Sequence, residues 1–204
     1  MMTARTIAII ANGETPRHPE VLAALAQCEA CVCCDRLPPE GAPKLLQIVG
    51  DLDSLAADVP DALVTDLHED QETNDLTKAM RWARATHPNT AIDYFAITGL
   101  REDHTLANLA LVSEAGAPAR IFTEAGRFDL IPAGETHLEV TPDSPISFLS
   151  FTAQRITAQG VVWPVENLLL DTLWRATLNR TQATHLTLRC EAPLFVYRPW
   201  RPRP

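Results

Sequence analysis

Leu45-Leu46-Gln47-Ile48-Val49-Gly50-Asp51-Leu52-Asp53-Ser54 is a short apolar run that ends on a glycine and two aspartates. A run of this length, closed by glycine, reads as a buried strand. Asp51 and Asp53 then leave its C-terminal edge, which is where open α/β sheets bind their ligands. Along an extended backbone, residues i and i+2 point the same way, so the two carboxylates can share one Mg²⁺, a hard cation that prefers oxygen. Gly50 permits close backbone approach. The same letters also fit an Asp-rich turn closed by an Asx bond, so the flanking sequence decides between the two.

Upstream and downstream, short apolar runs alternate with amphipathic stretches. Strands are expected at Thr6–Ala11, Cys31–Cys34, Gln47–Val49, Ile92–Thr98 and Arg120–Thr123. Helices are expected at Pro19–Cys28, at Thr73–Thr86, where Leu76, Ala79, Met80 and Ala83 recur at helical spacing, and at Asp103–Ala115. Strands alternating with helices predict an α/β domain with a largely parallel sheet covered on both faces. After Ala125 the texture changes. β-like runs follow one another at Asp129–Ile131, His137–Val140, Ile146–Phe151, Gly160–Trp163, Leu168–Leu170, Ala183–Arg189 and Leu194–Tyr197, separated by Pro, Gly, Asp and Asn. That pattern predicts an all-β sandwich or barrel. The expected domains are therefore 1–125 and 126–204, with a frayed Pro-rich tail from Arg198 onward.

Composition narrows the function. The first 125 residues carry 9 Lys and Arg against 19 Asp and Glu, and the remainder 8 against 7. A nucleic-acid binder needs the opposite excess, because phosphate contacts come from Lys and Arg. No stretch approaches the ~20 apolar residues that span a bilayer, and Ile7–Ala11 is too short for a signal h-region, so the expected location is the cytoplasm. Cys28, Cys31, Cys33 and Cys34 are bunched without a second ligand pair, so core packing is expected rather than zinc.

Two further polar groups lie near expected helix starts. Asp70-Gln71-Glu72-Thr73-Asn74-Asp75 precedes a helix in which Lys78 follows one turn later. A helix N-terminus presents free N–H groups to phosphate, Gln71 and Asn74 add neutral donors, and Asp75 with Lys78 can serve metal and phosphate. Capping is the alternative use for acidic residues here. Thr98-Gly99-Leu100-Arg101-Glu102-Asp103-His104 repeats the pattern. Arg101 offers a planar fork for phosphate, Asp103 a further ligand or general base, and His104 a catalytic or capping group. There is no Gly-x-x-x-x-Gly-Lys loop and no Gly-x-Gly-x-x-Gly fingerprint.

Taken in order, these groups resemble the thiamine pyrophosphokinase family, whose members transfer diphosphate from ATP to thiamine and release AMP. The matching residues are Asp35, then Gly50 to Ser54, then Asp70, Gln71, Asp75 and Lys78, then Gly99, Arg101, Asp103, His104 and Asn108. Gly160-Val161-Val162-Trp163 and Asn179 continue the likeness. The resemblance implies an N-terminal α/β domain, a C-terminal β-sandwich, and a homodimer with thiamine at the subunit interface. It implies Asp51, Asp53 and Asp75 as ligands of Mg²⁺, with Arg101 and Asp103 at the reacting phosphates. Asp35, Ser54, Gln71, Asn74, Lys78, His104, Asn108, Trp163 and Asn179 are implied as contacts to ATP or thiamine. The chain departs from the family where Asp35 is followed by Arg36-Leu37 instead of Gly-Gly, at Leu100 within the usual Gly-Gly-Arg, at Asn74, and at Ala176 and Leu178 where serines are usual. Two alternatives stand beside this reading. One is a haloacid-dehalogenase-like phosphohydrolase with Asp51 as nucleophile, and the other a nucleotide- or thiamine-binding regulator without catalysis.

Overall fold

A computed structural model describes residues 5–50, 59–66 and 73–200. The chain divides into two compact units, one of residues up to 109 with 121–124, the other of 110–120 with 125–200.

The first unit is built on parallel strands. β1 (Thr6–Ile10), β2 (Ala30–Cys34), β3 (Lys44–Gly50), β4 (Val64–Asp66) and β5 (Ala91–Phe95) stand in the order β5-β1-β2-β3-β4, every neighbouring pair parallel. Every residue of β2 is buried and β1 is buried beyond its first residue, as continuous apolar strands covered on both faces must be. α1 (Pro19–Gln27) buries Val21 and Leu25, and α2 (Asp75–Thr86) buries Leu76, Ala79, Met80 and Ala83 while packing on β2 and β3. α3 (Glu102–Ala115) follows β5, and β6 (Ala119–Phe122) lies beside it. Phe95 stacks on Phe122 at 5.0 Å between ring centroids. Glu124 accepts the backbone N–H groups of Arg17 and His18, tying the α1 entrance to a residue more than a hundred positions away. The cysteines are small core hydrophobes, all buried with free thiols.

The second unit is antiparallel. β7 (Gly126–Ile131), β9 (Pro145–Leu149), β12 (Asn179–Arg180) and β14 (Leu194–Pro199) form one ladder in the order β12-β9-β14-β7. β8 (Gly134–Glu139), β10 (Gln154–Gln159), β11 (Val165–Leu170) and β13 (His185–Cys190) form another in the order β11-β10-β13-β8. Burial alternates along β10 and β13, and Ile146, Phe148, Ile156, Leu186, Leu188, Leu194 and Val196 meet in one core. This is the inward-facing set of a β-sandwich.

The expected fold class holds, while several boundaries move. The expected strand Ile92–Thr98 stops at Phe95 because Ala96 takes φ 53°. α2 begins at Asp75, not Thr73, because Asn74 takes extended backbone and caps the helix, accepting the Thr77 N–H at 2.9 Å. The expected strand at Gly160–Trp163 is a turn with a single bridge, Val161 to Thr181, and the strand lies just before it, in β10. Gly160 forces that turn: φ is 90°, and a Cβ there would sit 2.5 Å from the His185 carbonyl. β4 and β12 are too short to carry a periodicity. The tail is ordered further than expected, since Arg198 and Pro199 pair with Arg127 and Gly126 and the Trp200 N–H reaches the Ala125 carbonyl.

Candidate active site

Parallel strands place all their C-terminal ends on one edge, and a cavity of about 370 Å³ opens there in the first unit. β1 leads into Ala11, Asn12 and Gly13, β2 into Asp35, and β5 into Ala96, Ile97 and the Gly99–Arg101 loop; Asn74 and Asp75 start α2, and His104 and Asn108 come from α3. Residues from three separate sequence motifs therefore share one lining.

The backbone around the cavity is unusual. Asp35, Ala96, Gly99 and Leu100 all have positive φ, at 47°, 53°, 78° and 64°. Such conformations persist only where the surroundings over-determine them, and they cluster at functional sites. Here the surroundings are tight. A Cβ on Gly13 would lie 2.3 Å from the Ala96 carbonyl, and the Gly13 N–H donates to that same oxygen at 2.7 Å. Leu100 takes this backbone without glycine's freedom. Left-handed backbone costs a leucine about 1–2 kcal/mol, and glycine's extra unfolded-state freedom offsets about 0.5–1 kcal/mol of the relief. With 78% of Leu100 exposed, little packing is lost, so Leu100→Gly should raise stability by about 0.5–1 kcal/mol in urea unfolding. A loss of stability would contradict this.

Side chains at the cavity are arranged as charge pairs. Asp75 accepts from the Lys78 ammonium at 3.2 Å; Lys78 is only 4% exposed, so its charge is buried beside that carboxylate. Asn74 caps α2 with its carbonyl oxygen, which accepts the Thr77 N–H and hydroxyl, while its side-chain NH₂ is the group that can donate to a ligand. Arg101 grips Asp103 with two bonds, Nε to Oδ1 at 3.1 Å and Nη2 to Oδ2 at 2.6 Å. That hydrogen bond is the chief reason the Asp103 carboxyl falls to about 2. With its pKa depressed, Asp103 stays ionised at neutral pH, and the pair opens only as pH falls toward 2. Asp103 is thus a weak base that orients Arg101 from an exposed position. Asn108 donates to the Ile97 carbonyl at 2.8 Å, pinning α3 to the chain beyond β5. Asp35 is buried at the end of β2, where its Cβ would lie 3.0 Å from a Cβ on Gly50. That proximity explains the glycine before the aspartate pair. Asp51, Asp53, Ser54, Asp70 and Gln71 lie outside the described residues.

The second unit holds Trp163 and Asn179 together. Asn179 is buried; its Oδ1 accepts from the backbone N–H of Trp163 at 3.2 Å and of Arg180 at 2.8 Å, and its Nδ2 donates to the Trp163 carbonyl at 2.8 Å. The clamp leaves the Trp163 side chain outward, with the residue 56% exposed. Leu178, 83% exposed with φ 59°, lies one residue before the clamp.

The fold and cavity define an open α/β ligand-binding unit joined to a β-sandwich unit. Residues 24–122 match the family model described as "Thiamin pyrophosphokinase, catalytic domain", and residues 127–197 the one described as "Thiamin pyrophosphokinase, substrate-binding domain". The chain belongs to the thiamin pyrophosphokinase family. Thiamine pyrophosphokinase of Bacillus subtilis is 29% identical over 104 residues, which are 48% of this chain and 48% of that protein, so the match spans about half the length of that relative. The crystal structure of thiamine pyrophosphokinase from Bacillus subtilis has a TM-score of 0.75 at 22% identity, covering 97% of this chain and 100% of that one. Thiamin pyrophosphokinase from Candida albicans gives 0.74 at 16% identity, covering 97% and 90%.

Proposed function

We propose that this chain transfers the diphosphate of ATP to the hydroxyl of thiamine, giving thiamine diphosphate and AMP. The observation that carries the reading is a cavity at the sheet edge, where Asp35, Asn74, Asp75, Arg101, His104 and Asn108 converge from three motifs. A matching pair of catalytic and substrate-binding family models supports it.

In this reading residues 1–125 bind ATP and metal, and residues 126–204 bind thiamine and a second copy of the chain, with thiamine at the subunit interface of a cytoplasmic homodimer. No described helix is long and apolar enough to cross a membrane. The donor chemistry suits Mg²⁺, since the cavity offers the carboxylates of Asp35 and Asp75 and no soft ligand is required. Asp75, with Asp51 and Asp53, would hold the ion, which when bound supplies charge neutralisation at the phosphates. The thiamine hydroxyl attacks the β-phosphorus in line, the bond to the α-phosphate oxygen breaks, and AMP leaves. Arg101, oriented by Asp103, binds charge on the transferring group, assisted by Lys78 and Gln71. Asp103 being committed to Arg101, Asp35 is the carboxylate that takes the hydroxyl proton. Ser54, Asn74, His104 and Asn108 complete the nucleotide contacts. Trp163, presented by Asn179, stacks on the thiamine cation, a contact worth about 0.5–2 kcal/mol.

Incubation with Mg²⁺, ATP and thiamine should yield AMP and thiamine diphosphate in equal amounts. A parallel tube without thiamine should yield neither AMP nor free phosphate. Phosphate release without thiamine would favour the phosphohydrolase reading, and binding without turnover the regulator.

A further inference from the structure

Among the described residues, Arg36 is a cation at this edge with no carboxylate against its charge. It follows Asp35 directly, at the end of β2, and is half-buried. Its guanidinium folds back across the end of β1. Nη1 donates to the Ala11 carbonyl at 3.4 Å and Nη2 to the Thr15 hydroxyl at 3.4 Å, while Nε donates to the Leu37 carbonyl at 3.3 Å. Ala11 itself lines the cavity.

The contrast with its neighbours is what points to a ligand. Lys78 is matched by Asp75, and Arg101 by Asp103. Among the described residues, Arg36 makes three bonds, all long and all to neutral acceptors. A guanidinium carries five N–H donors in a rigid fork suited to phosphate oxygens, so Arg36 has donors to spare. Its charge is already felt inside the cavity: at Cys34, which lines it, Arg36 opposes the upward push that burial, Asp75 and Asp35 exert on the thiol.

We infer that Arg36 is a polyphosphate-binding residue of this cavity, its fork taking up non-bridging phosphate oxygens of ATP. The inference rests on the reading that the cavity receives MgATP. It supplies, from the β2 edge, a positive charge at the very position where the chain departs from Gly-Gly. The alternative role is structural, with Arg36 merely bracing the Ala11–Thr15 segment.

Calorimetric titration of the full chain separates these roles, using MgATP, inorganic tripolyphosphate and adenosine as probes. Arg36→Gln keeps an amide able to reach Ala11 but removes the charge. It should weaken MgATP and tripolyphosphate by about tenfold or more, as loss of a charge-assisted fork implies, and leave adenosine and thiamine binding unchanged. The salt dependence of ATP binding should flatten in the same variant. Arg36→Lys, which retains the charge without the fork, should fall between the two. Unchanged ATP affinity in Arg36→Gln would overturn the inference, and so would an equal loss for ATP and adenosine, which is the signature of bracing. If Arg36→Gln does not fold, Arg36→Lys is read alone, and ATP affinity equal to the parent's overturns it. Failure of the parent chain to bind MgATP would instead count against the donor half of the proposed reaction.

Discussion

Asp75→Asn should leave the chain folded and lower thiamine diphosphate formation by about a thousandfold, the scale of losing one preorganised charge at a phosphoryl-transfer centre. Asp75 is the described residue in which the helix start, the cavity lining and the lysine partner meet. It opens α2 directly after the Asn74 cap, lines the cavity, and holds the buried Lys78 ammonium at 3.2 Å. Asparagine is nearly isosteric and keeps an oxygen for Lys78, so shape is kept, while loss of the counter-charge beside that buried ammonium should lower stability as well as rate. The check is kcat at saturating MgATP and thiamine, alongside a thermal melt. A variant that still melts cooperatively and turns over within tenfold of the parent would show that Asp75 holds no ion during transfer. The harsher control is Asp75→Ala, which also strips Lys78 of any oxygen partner and should lower stability further.

The second large effect is structural and lies far along the sequence. Arg127 and Arg198 stand directly opposite each other on β7 and β14, where like charges repel. Asp129 resolves the conflict, accepting from Arg127 Nε at 3.0 Å and from Arg198 Nη2. Its side chain is 10% exposed against 28% and 25% for the arginines. Burial also pushes the Arg127 guanidinium below its ordinary value, with Asp129 pulling it back up. Asp129→Ala removes the carboxylate that the two facing cations share, and breaking a buried pair costs about 3–5 kcal/mol. Because the arginines are partly solvated, about 3 kcal/mol is expected here. Urea unfolding measures it. A further Arg127→Leu substitution should recover part of the loss, because it removes the repulsion. A loss below about 1 kcal/mol in Asp129→Ala would mean the cluster is solvated and contributes little.

The parallel sheet and the antiparallel unit were legible because each depends on local period. Cys31–Cys34 reads as a strand since it is uniformly apolar, and Leu76, Ala79, Met80 and Ala83 read as a helix face since they recur at helical spacing. The convergence of Asp75 and Arg101 on one edge was legible for a related reason, since strand ends in a parallel sheet fall together. Contacts between a side chain and distant backbone were not. Asn179 clamping Trp163 across sixteen residues, or Glu124 holding the α1 entrance, has no periodic trace. Nor does charge pairing announce itself. Lys78 and Arg101 read alike as phosphate ligands, yet one is buried against Asp75 and the other exposed and locked to Asp103. The departures at Arg36 and Leu100 were visible as letters only; their meaning required the long neutral bonds of one and the left-handed backbone of the other.

The central claim is that a diphosphate group moves intact from ATP to thiamine, and labelled ATP tests it most directly. With ATP carrying label at the β-phosphorus, Mg²⁺ and thiamine, the label should appear in thiamine diphosphate while AMP remains unlabelled. Label recovered in ADP, with unlabelled free phosphate or thiamine monophosphate beside it, would mean that the γ-phosphate alone is cleaved and would contradict the account.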